Sequence, residues 1–188
     1  MNNGVPISGH VSEDVVNLGG VTSTMKFGEI DSTTGGIFWK GDYKSSGVLG
    51  LAYGGDGMNV DNLHTFFDNA SVTDKSFSFY LHANPSQSYM VIPGMDTENW
   101  GTLDTHKVAQ EKYWALDVDY IKQGDNKVIN AFDYFVTLDT GAAIIQGPKA
   151  IMDPFIEGIT VNADCSGQDA LPVLTFAIEG TPYTLDGS

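Results

Sequence analysis

The sequence has a single cysteine, Cys165, among its 188 residues. One thiol cannot form a disulfide within the chain, and it cannot supply the set of ligands that a structural zinc site needs. Cys165 is therefore either a small buried apolar residue or one end of a bridge whose partner lies outside these residues. The sequence gives no reason to expect a cofactor.

Histidine is also scarce, and its four copies form no metal-binding pattern. They show no i, i+4 pairing and no acidic residue at metal-ligand spacing, so no metal site is predicted. We expect all four at the surface or at strand edges: His10, His64, His82 and His106.

Basic residues are few, since nine lysines and arginines face 24 acids and leave a net charge of −15. Such a charge repels nucleic acids and anionic membranes, so neither is expected as a partner. The acids are scattered, which favours a solvated acidic surface over an acidic tail. No apolar run reaches the length of a membrane span, and the opening Met1-Asn2-Asn3-Gly4 shows no signal peptide.

Two common site motifs are missing and one weak motif is present. There is no Gly-x-Ser-x-Gly elbow, and Gly54-Gly55-Asp56-Gly57 lacks the Lys-Ser/Thr of a phosphate-binding loop. Asn69-Ala70-Ser71 fits the acceptor pattern for N-glycosylation, which has meaning only on a secretory route.

The patterning predicts an all-β chain with a few short helices. With 41% hydrophobic and 18% charged residues the chain should be globular. Gly19-Gly20 predicts a hairpin turn, and Glu179-Gly180 is predicted to close another strand. Strands are predicted at 11–18, 21–30, 76–81, 88–92, 114–121 and 173–178. Helical spacing predicts one short helix near Val60 to Phe67, capped by Asn59. It predicts a second helix that opens at Pro148 and is shortened by Pro154. The second helix carries Ile151, Phe155 and Ile159 on one face.

The stretch around Asp139-Thr140-Gly141 is the strongest indication of chemistry. It places a carboxylate after the apolar run 135–138 and before a second apolar run. If these neighbours are buried, the acid pays a large desolvation cost, which points to a functional role.

Eight segments, in order, resemble pepsin-like aspartic proteases. The sequence 139–148 resembles the family's second catalytic stretch, "DTGTSLLTGP", and 46–53 resembles "DGILGLAY". The other segments are 61–63, 77–81, 93–96, 113–114, 164–166 and the pair 171–176 with 180–183, which resemble "FDNL", "FSVYL", "GGID", "YW", "SCS" and "LPDIVFTI" with "GVQY".

The resemblance implies a partial bilobal all-β fold in which each lobe supplies one catalytic Asp. Residues 1–104 match the end of the N-terminal lobe from the flap onward, and 105–188 match the start of the C-terminal lobe. Asp139 matches the second catalytic Asp, while the first would lie in a missing N-terminal segment. The implied substrate is a polypeptide, and the implied location is extracellular, vacuolar or lysosomal. Cys165 matches one half of a family disulfide.

The resemblance also implies substrate-binding residues, and three positions named here depart from the family. Gly141, Ala142 and Ala143 follow the catalytic Asp, but the two alanines replace a Thr and a Ser whose hydroxyls bond the Asp or the substrate. By position, Trp39 and Val48 would line a pocket before the scissile bond and Tyr113 a pocket after it, although each could equally be core. Asn2 stands where the family has its flap Tyr.

The sequence therefore predicts a large fragment of an aspartic endopeptidase that is inactive by itself, because one carboxylate cannot act as both base and acid. Two alternatives stay open. One is a catalytically inactive homologue that binds peptides or inhibitors, which the two alanines and Asn2 suggest. The other is an unrelated acidic all-β binding protein in which Asp139 only ends a strand.

Overall fold

The computed structural model describes residues 7–33, 45–53, 64–98, 100, 102–130, 134–164 and 166–186, with the side chains of 7, 33 and 126–130 left aside. The chain divides into two compact units, Met1–Leu103 and Asp104–Ser188. Ten strands dominate the described residues, which also contain one α-helix and three short 3-10 helices. The all-β prediction is confirmed. The assignment of the two halves to protease lobes stays a prediction.

The first unit opens with a long antiparallel hairpin of β1 (Ile7–Leu18) and β2 (Val21–Thr33). Its turn is Gly19-Gly20, with φ of 58° and 93°. Positive φ at both central residues suits the right-handed twist of a hairpin and costs glycine little, so the predicted hairpin is confirmed. The side chains of Val21 and Ser23 in β2 are buried.

A second, shorter hairpin follows in β3 (Ser78–Tyr80) and β4 (Tyr89–Val91). Both strands are present where they were predicted but are shorter. The Asp74 side chain accepts a hydrogen bond from the Ser76 backbone N–H at 2.9 Å, which starts a turn in place of the first strand residues. The connection contains the 3-10 helix Pro85–Gln87, where the Asn84 side chain accepts from Ser86 N–H at 3.1 Å.

The predicted first helix is only partly described. Its cap Asn59 and the residues Val60 and Leu63 lie outside the described residues, and the described part is a 3-10 helix, Phe66–Asp68. Thr65 caps it through a capping box with Asp68. Phe66 is fully buried.

The second unit contains a four-stranded antiparallel sheet in the order β10-β9-β6-β7 and a separate pair of β5 with β8. The strands are β5 (Ala115–Asp117), β6 (Tyr120–Gln123), β7 (Asn126–Asn130), β8 (Phe135–Thr137), β9 (Leu174–Ile178) and β10 (Thr181–Leu185). The hairpin turn of β9 and β10 is Glu179-Gly180, with φ of 48° and 84°.

The single strand predicted over 114–121 is wrong, because the chain changes sheets in the middle of it. Val118 is 3% exposed and packs against Ile178 in the core. Asp119 then joins the other sheet: its N–H donates to Ala177 O, and its side chain accepts from Gly180 N–H, both at 2.8 Å. Local alternation cannot show this change of hydrogen-bond partner.

The second unit also carries α1 (Lys149–Ile156). It follows Pro148 as predicted and contains Pro154, and Ile159 lies beyond its end, where Gly158 has a φ of 80°. Phe155 is its buried residue. None of the described helices has the length and apolarity to cross a bilayer.

Candidate active site

Asp139 follows the end of β8, in a loop of residues 138–147 that we call the Asp139 loop. β8 pairs with β5 in a register that sets Thr137 opposite Ala115. Asp139 lies two residues after Thr137, and Tyr113 lies two residues before Ala115. Because the strands are antiparallel, Asp139 and Tyr113 are at the same end of this pair.

The loop orients the Asp139 carboxylate through its own backbone. The Gly141 N–H donates to Asp139 Oδ1 at 2.8 Å, and the Ala142 N–H donates to Asp139 O at 3.0 Å. No described residue donates a hydrogen bond to Oδ2. One carboxylate oxygen is thus held by the loop.

Glycine at position 141 allows this approach. A Cβ at this position would lie 3.1 Å from Asp139 Oδ1, which is tighter than ordinary contacts between nonbonded atoms. A larger residue would therefore require the carboxylate oxygen to shift by a few tenths of an ångström.

The expectation that Asp139 sits among buried residues is wrong for the described part of the chain. Asp139 is exposed, Leu138 is 71% exposed and Ile144 is 70% exposed. Exposed apolar side chains thus occur in the same loop as Asp139, and burial within this unit does not distinguish the carboxylate. The feature that distinguishes Asp139 is the geometry of its loop, in which the Gly141 N–H binds Oδ1.

The other predicted site residues are placed as follows. Ala142 and Ala143 are exposed in the Asp139 loop, and Tyr113 is 48% exposed in the turn before β5. Val48 belongs to the first unit and is 75% exposed, so its reading as core is contradicted. Trp39 lies outside the described residues, as do Asn2 and Cys165.

An apolar cavity of about 100 Å³ lies within the second unit, next to the Asp139 loop. The end of the loop, Gln146-Gly147, lines it together with Pro148 and α1. A Cβ at Gly147 would come within 3.0 Å of Met152 Sδ, so glycine lets the loop pack closely on the helix. Ile151 and Phe155, predicted to share one helix face, both line this cavity.

Sequence reasoning missed a second polar cluster, which we call the His106 cluster: Asp104, His106, Glu179 and Tyr183. The His106 side chain is 13% exposed and contacts Tyr183 of the edge strand β10, so of the two expected places, the surface and a strand edge, only the strand edge fits. Its Nδ1 lies 3.0 Å from Glu179 Oε2, and its Nε2 lies 2.5 Å from the Tyr183 hydroxyl. The hydroxyl also donates to Asp104 Oδ2 at 3.3 Å. The partners lie more than 70 residues apart in the sequence, so no local pattern could have revealed the cluster.

Three groups have shifted pKa values with clear causes. Partial burial raises the pKa of the Tyr183 phenol, and the negative charge of Asp104 raises it further. Hydrogen bonds from the Ser76 side chain and backbone lower the pKa of Asp74. Ser166 lowers the pKa of Asp164 in the same way. Among the described residues, no group of three His, Cys, Asp or Glu side chains could hold a metal ion.

Comparisons with known proteins identify the family. The family model described as eukaryotic aspartyl protease matches residues 2–188. The chain is 30% identical to cathepsin D of Chionodraco hamatus over 96% of this chain and 49% of that relative. It is 29% identical to pepsin A of Sus scrofa, over 97% of this chain and 50% of the relative. It is also 26% identical to a probable vacuolar protease A of Trichophyton verrucosum, over 95% of this chain and 48% of the relative.

The chain spans about half the length of these curated relatives. Its own match to the family model nevertheless runs almost from end to end. An unrelated binding protein with a chance Asp-Thr-Gly is therefore excluded. The chain belongs to the eukaryotic aspartyl protease family.

Proposed function

We propose that the chain is part of an aspartic endopeptidase in which Asp139 is one of two catalytic carboxylates. The observation that carries the proposal is the Asp139 loop, where the Gly141 N–H orients Oδ1 and no described residue donates to Oδ2. Two carboxylates that share one proton are the established chemistry of aspartic proteases. One acts as base toward a water while the other donates a proton to the scissile carbonyl.

The substrate is proposed to be a polypeptide with bulky apolar residues. Leu138, Ile144 and Ile145 of the Asp139 loop are 71%, 70% and 47% exposed, and Tyr113 is at the same end of the β5–β8 pair. Exposed apolar side chains beside a reactive carboxylate favour apolar substrate side chains over charged ones. The role of Val48 and Trp39 in a pocket before the scissile bond remains part of the proposal.

The second carboxylate is proposed to come from a segment outside these residues, since Asp-Thr-Gly occurs once in the sequence. The 188 residues alone are then inactive, because a single carboxylate cannot hold the base and acid roles together. One relative is named a vacuolar protease and others are named cathepsin and pepsin. On the strength of these names, we propose that the intact protein follows a secretory route that ends outside the cell, in a vacuole or in a lysosome.

The test is hydrolysis of quenched fluorescent peptides by the intact protein at acidic pH. Asp139→Asn should lower kcat by at least about 10²-fold, because an amide cannot accept the proton of the attacking water. The control Asp125→Asn, at an exposed position in the β6–β7 turn, should leave kcat unchanged. Full activity in Asp139→Asn would contradict the assignment.

A second candidate function rests on Ala142 and Ala143, which lack the hydroxyls of the family motif. In this alternative the intact protein binds peptides without cleaving them. Binding of a non-hydrolysable peptide analogue, measured by calorimetry, with no turnover of matching peptides would favour it. Restored turnover in the double variant Ala142→Thr, Ala143→Ser would identify the alanines as the cause.

A further inference from the structure

We propose that Asn69 is a site of N-linked glycosylation, an inference that rests on the secretory route of the proposed function. Asn69-Ala70-Ser71 is the one Asn-x-Ser/Thr sequence of the chain in which the middle residue is not proline. Asn69 is exposed at the C-terminal end of the 3-10 helix Phe66–Asp68. An exposed turn is where a bulky, hydrated glycan can be accommodated.

The reaction is an ordinary group transfer from a lipid-linked oligosaccharide diphosphate. A bond forms between Asn69 Nδ2 and the anomeric carbon of the oligosaccharide, and the bond from that carbon to the diphosphate oxygen breaks. The lipid diphosphate leaves with the bonding electron pair, and one amide proton is released. The modified amide nitrogen keeps one hydrogen.

That remaining hydrogen matters because the Asn69 side chain is part of the fold. Its Nδ2 donates to Thr24 O of β2 at 3.0 Å. An unmodified amide has two N–H donors and uses one of them here, so a glycan on the other leaves this bond possible. A glycan on the N–H that Thr24 O does not bind would keep the contact between the turn and β2.

The same contact region indicates when the transfer takes place. The Ser71 hydroxyl oxygen accepts from Thr22 N–H at 3.1 Å, and the Ser71 N–H donates to Thr22 O at 2.8 Å. Ala70 forms a β-bridge with Ser23. The whole acceptor sequence is attached to β2 in the folded chain, so transfer is expected before this region folds.

The first experiment directs the 188-residue chain into microsomes with a cleavable leader and measures its mass before and after endoglycosidase treatment. We expect one removable glycan, which Asn69→Gln and Ser71→Ala abolish and Ser71→Thr retains. A luminal chain without a glycan, or a glycan that persists in Asn69→Gln, would overturn the proposal. The assay needs no peptidase activity, so its result is separate from the test of Asp139.

The native protein isolated from its source cells should carry the same glycan. An unmodified Asn69 in the native protein would overturn the proposal that the site is used in the cell.

The second experiment tests the retained N–H donor through thermal stability. Trimming the glycan to its first sugar leaves the amide N–H, so Tm should equal that of the unmodified chain. Asn69→Asp has no donor for Thr24 O and should lower Tm by about 2 to 4 °C, the effect expected for one net hydrogen bond in a chain of this size.

Asn17→Asp is the matched control, since it adds the same charge and keeps an acceptor for the Gly20 N–H that Asn17 binds. Its Tm should change less than that of Asn69→Asp. An equal fall in Tm for the trimmed glycoprotein and Asn69→Asp would contradict the proposed geometry.

Discussion

At the scale of single residues, the Asp139 loop shows how little is needed to orient a carboxylate. One backbone N–H, that of Gly141, holds Oδ1 at 2.8 Å. The absence of a Cβ at position 141 favours this geometry, because a Cβ would lie 3.1 Å from the same oxygen. The glycine of the motif is thus explained by a close approach rather than by backbone conformation.

We expect Gly141→Ala to lower kcat/KM of the intact protein by about 10- to 30-fold, the equivalent of about 1.5 to 2 kcal/mol of lost orientation. The added methyl group displaces Oδ1 from its N–H donor. Gly28→Ala is the control, because a Cβ there meets nothing within 4 Å. Equal activity of the two variants in steady-state assays would show that the Gly141 contact is not used.

Two other carboxylates, Asp74 and Asp164, predict how stability changes in acid. Serine hydrogen bonds lower their folded-state pKa values, so the unfolded chain binds protons at higher pH than the folded chain does. Their contribution to stability is therefore present above the ordinary Asp pKa of about 3.9 and is lost as pH falls through the lowered values.

The double variant Ser76→Ala, Ser166→Ala should remove part of this acid dependence. The measurement is the free energy of unfolding in urea at several pH values between neutral and strongly acidic. The double variant should lose less stability on acidification than the unsubstituted chain does. Ser86→Ala, whose hydroxyl bonds Asn84 rather than an acid, is the control. An unchanged acid limb in the double variant would rule out the two aspartates as its source.

At the scale of elements, the β1–β2 and β9–β10 hairpin turns have similar backbone φ angles but different residues. Gly19-Gly20 and Glu179-Gly180 both have positive φ, but a glutamate in this region is strained relative to glycine by about 1 kcal/mol. Glu179 gains in return its contact with His106 Nδ1 at 3.0 Å. The strained residue thus links the β9–β10 turn to the segment that begins the second unit.

A double-mutant cycle measures this compensation between strain and contact. Glu179→Gly should stabilise the chain by about 1 kcal/mol when His106 is already alanine, because only the strain is then relieved. With His106 present the gain should be smaller or reversed, because the hydrogen bond is lost as well. Urea unfolding of the four proteins gives the coupling energy, and a coupling near zero would show that the contact contributes nothing.

At the scale of the whole molecule, the net charge of −15 sets the response to salt and pH. The acids repel one another at neutral pH, and this repulsion falls as the pH approaches the isoelectric point near 4.2. A pH near the isoelectric point would therefore reduce the repulsion between acids. The contribution of Asp74 and Asp164 to folding stability is lost only at a lower pH, as the pH falls through their lowered pKa values.

We expect added sodium chloride to raise Tm at pH 7 and to have little effect near pH 4.2, because salt screens repulsion only where net charge is large. Differential scanning calorimetry at low and moderate ionic strength measures both conditions. A salt effect of equal size at both pH values would point to ion-specific binding instead of screening.

The sequence alone was enough to predict the all-β class, both glycine-containing turns, the start of α1 and the family. Each of these depends on neighbours within a few residues or on the order of motifs along the chain. Positive φ at Gly19-Gly20 and the helix start at Pro148 are local backbone preferences, so they can be read from local sequence.

Only the tertiary structure decided the features that join distant parts of the chain. The break between β5 and β6 depends on hydrogen bonds to Ala177 and Gly180, and the His106 cluster joins residues more than 70 positions apart. The exposure of Asp139 depends on what packs around β8, which alternation along one strand cannot reveal. Local sequence determines backbone preference, whereas burial and long-range partners depend on which segments meet when the chain folds.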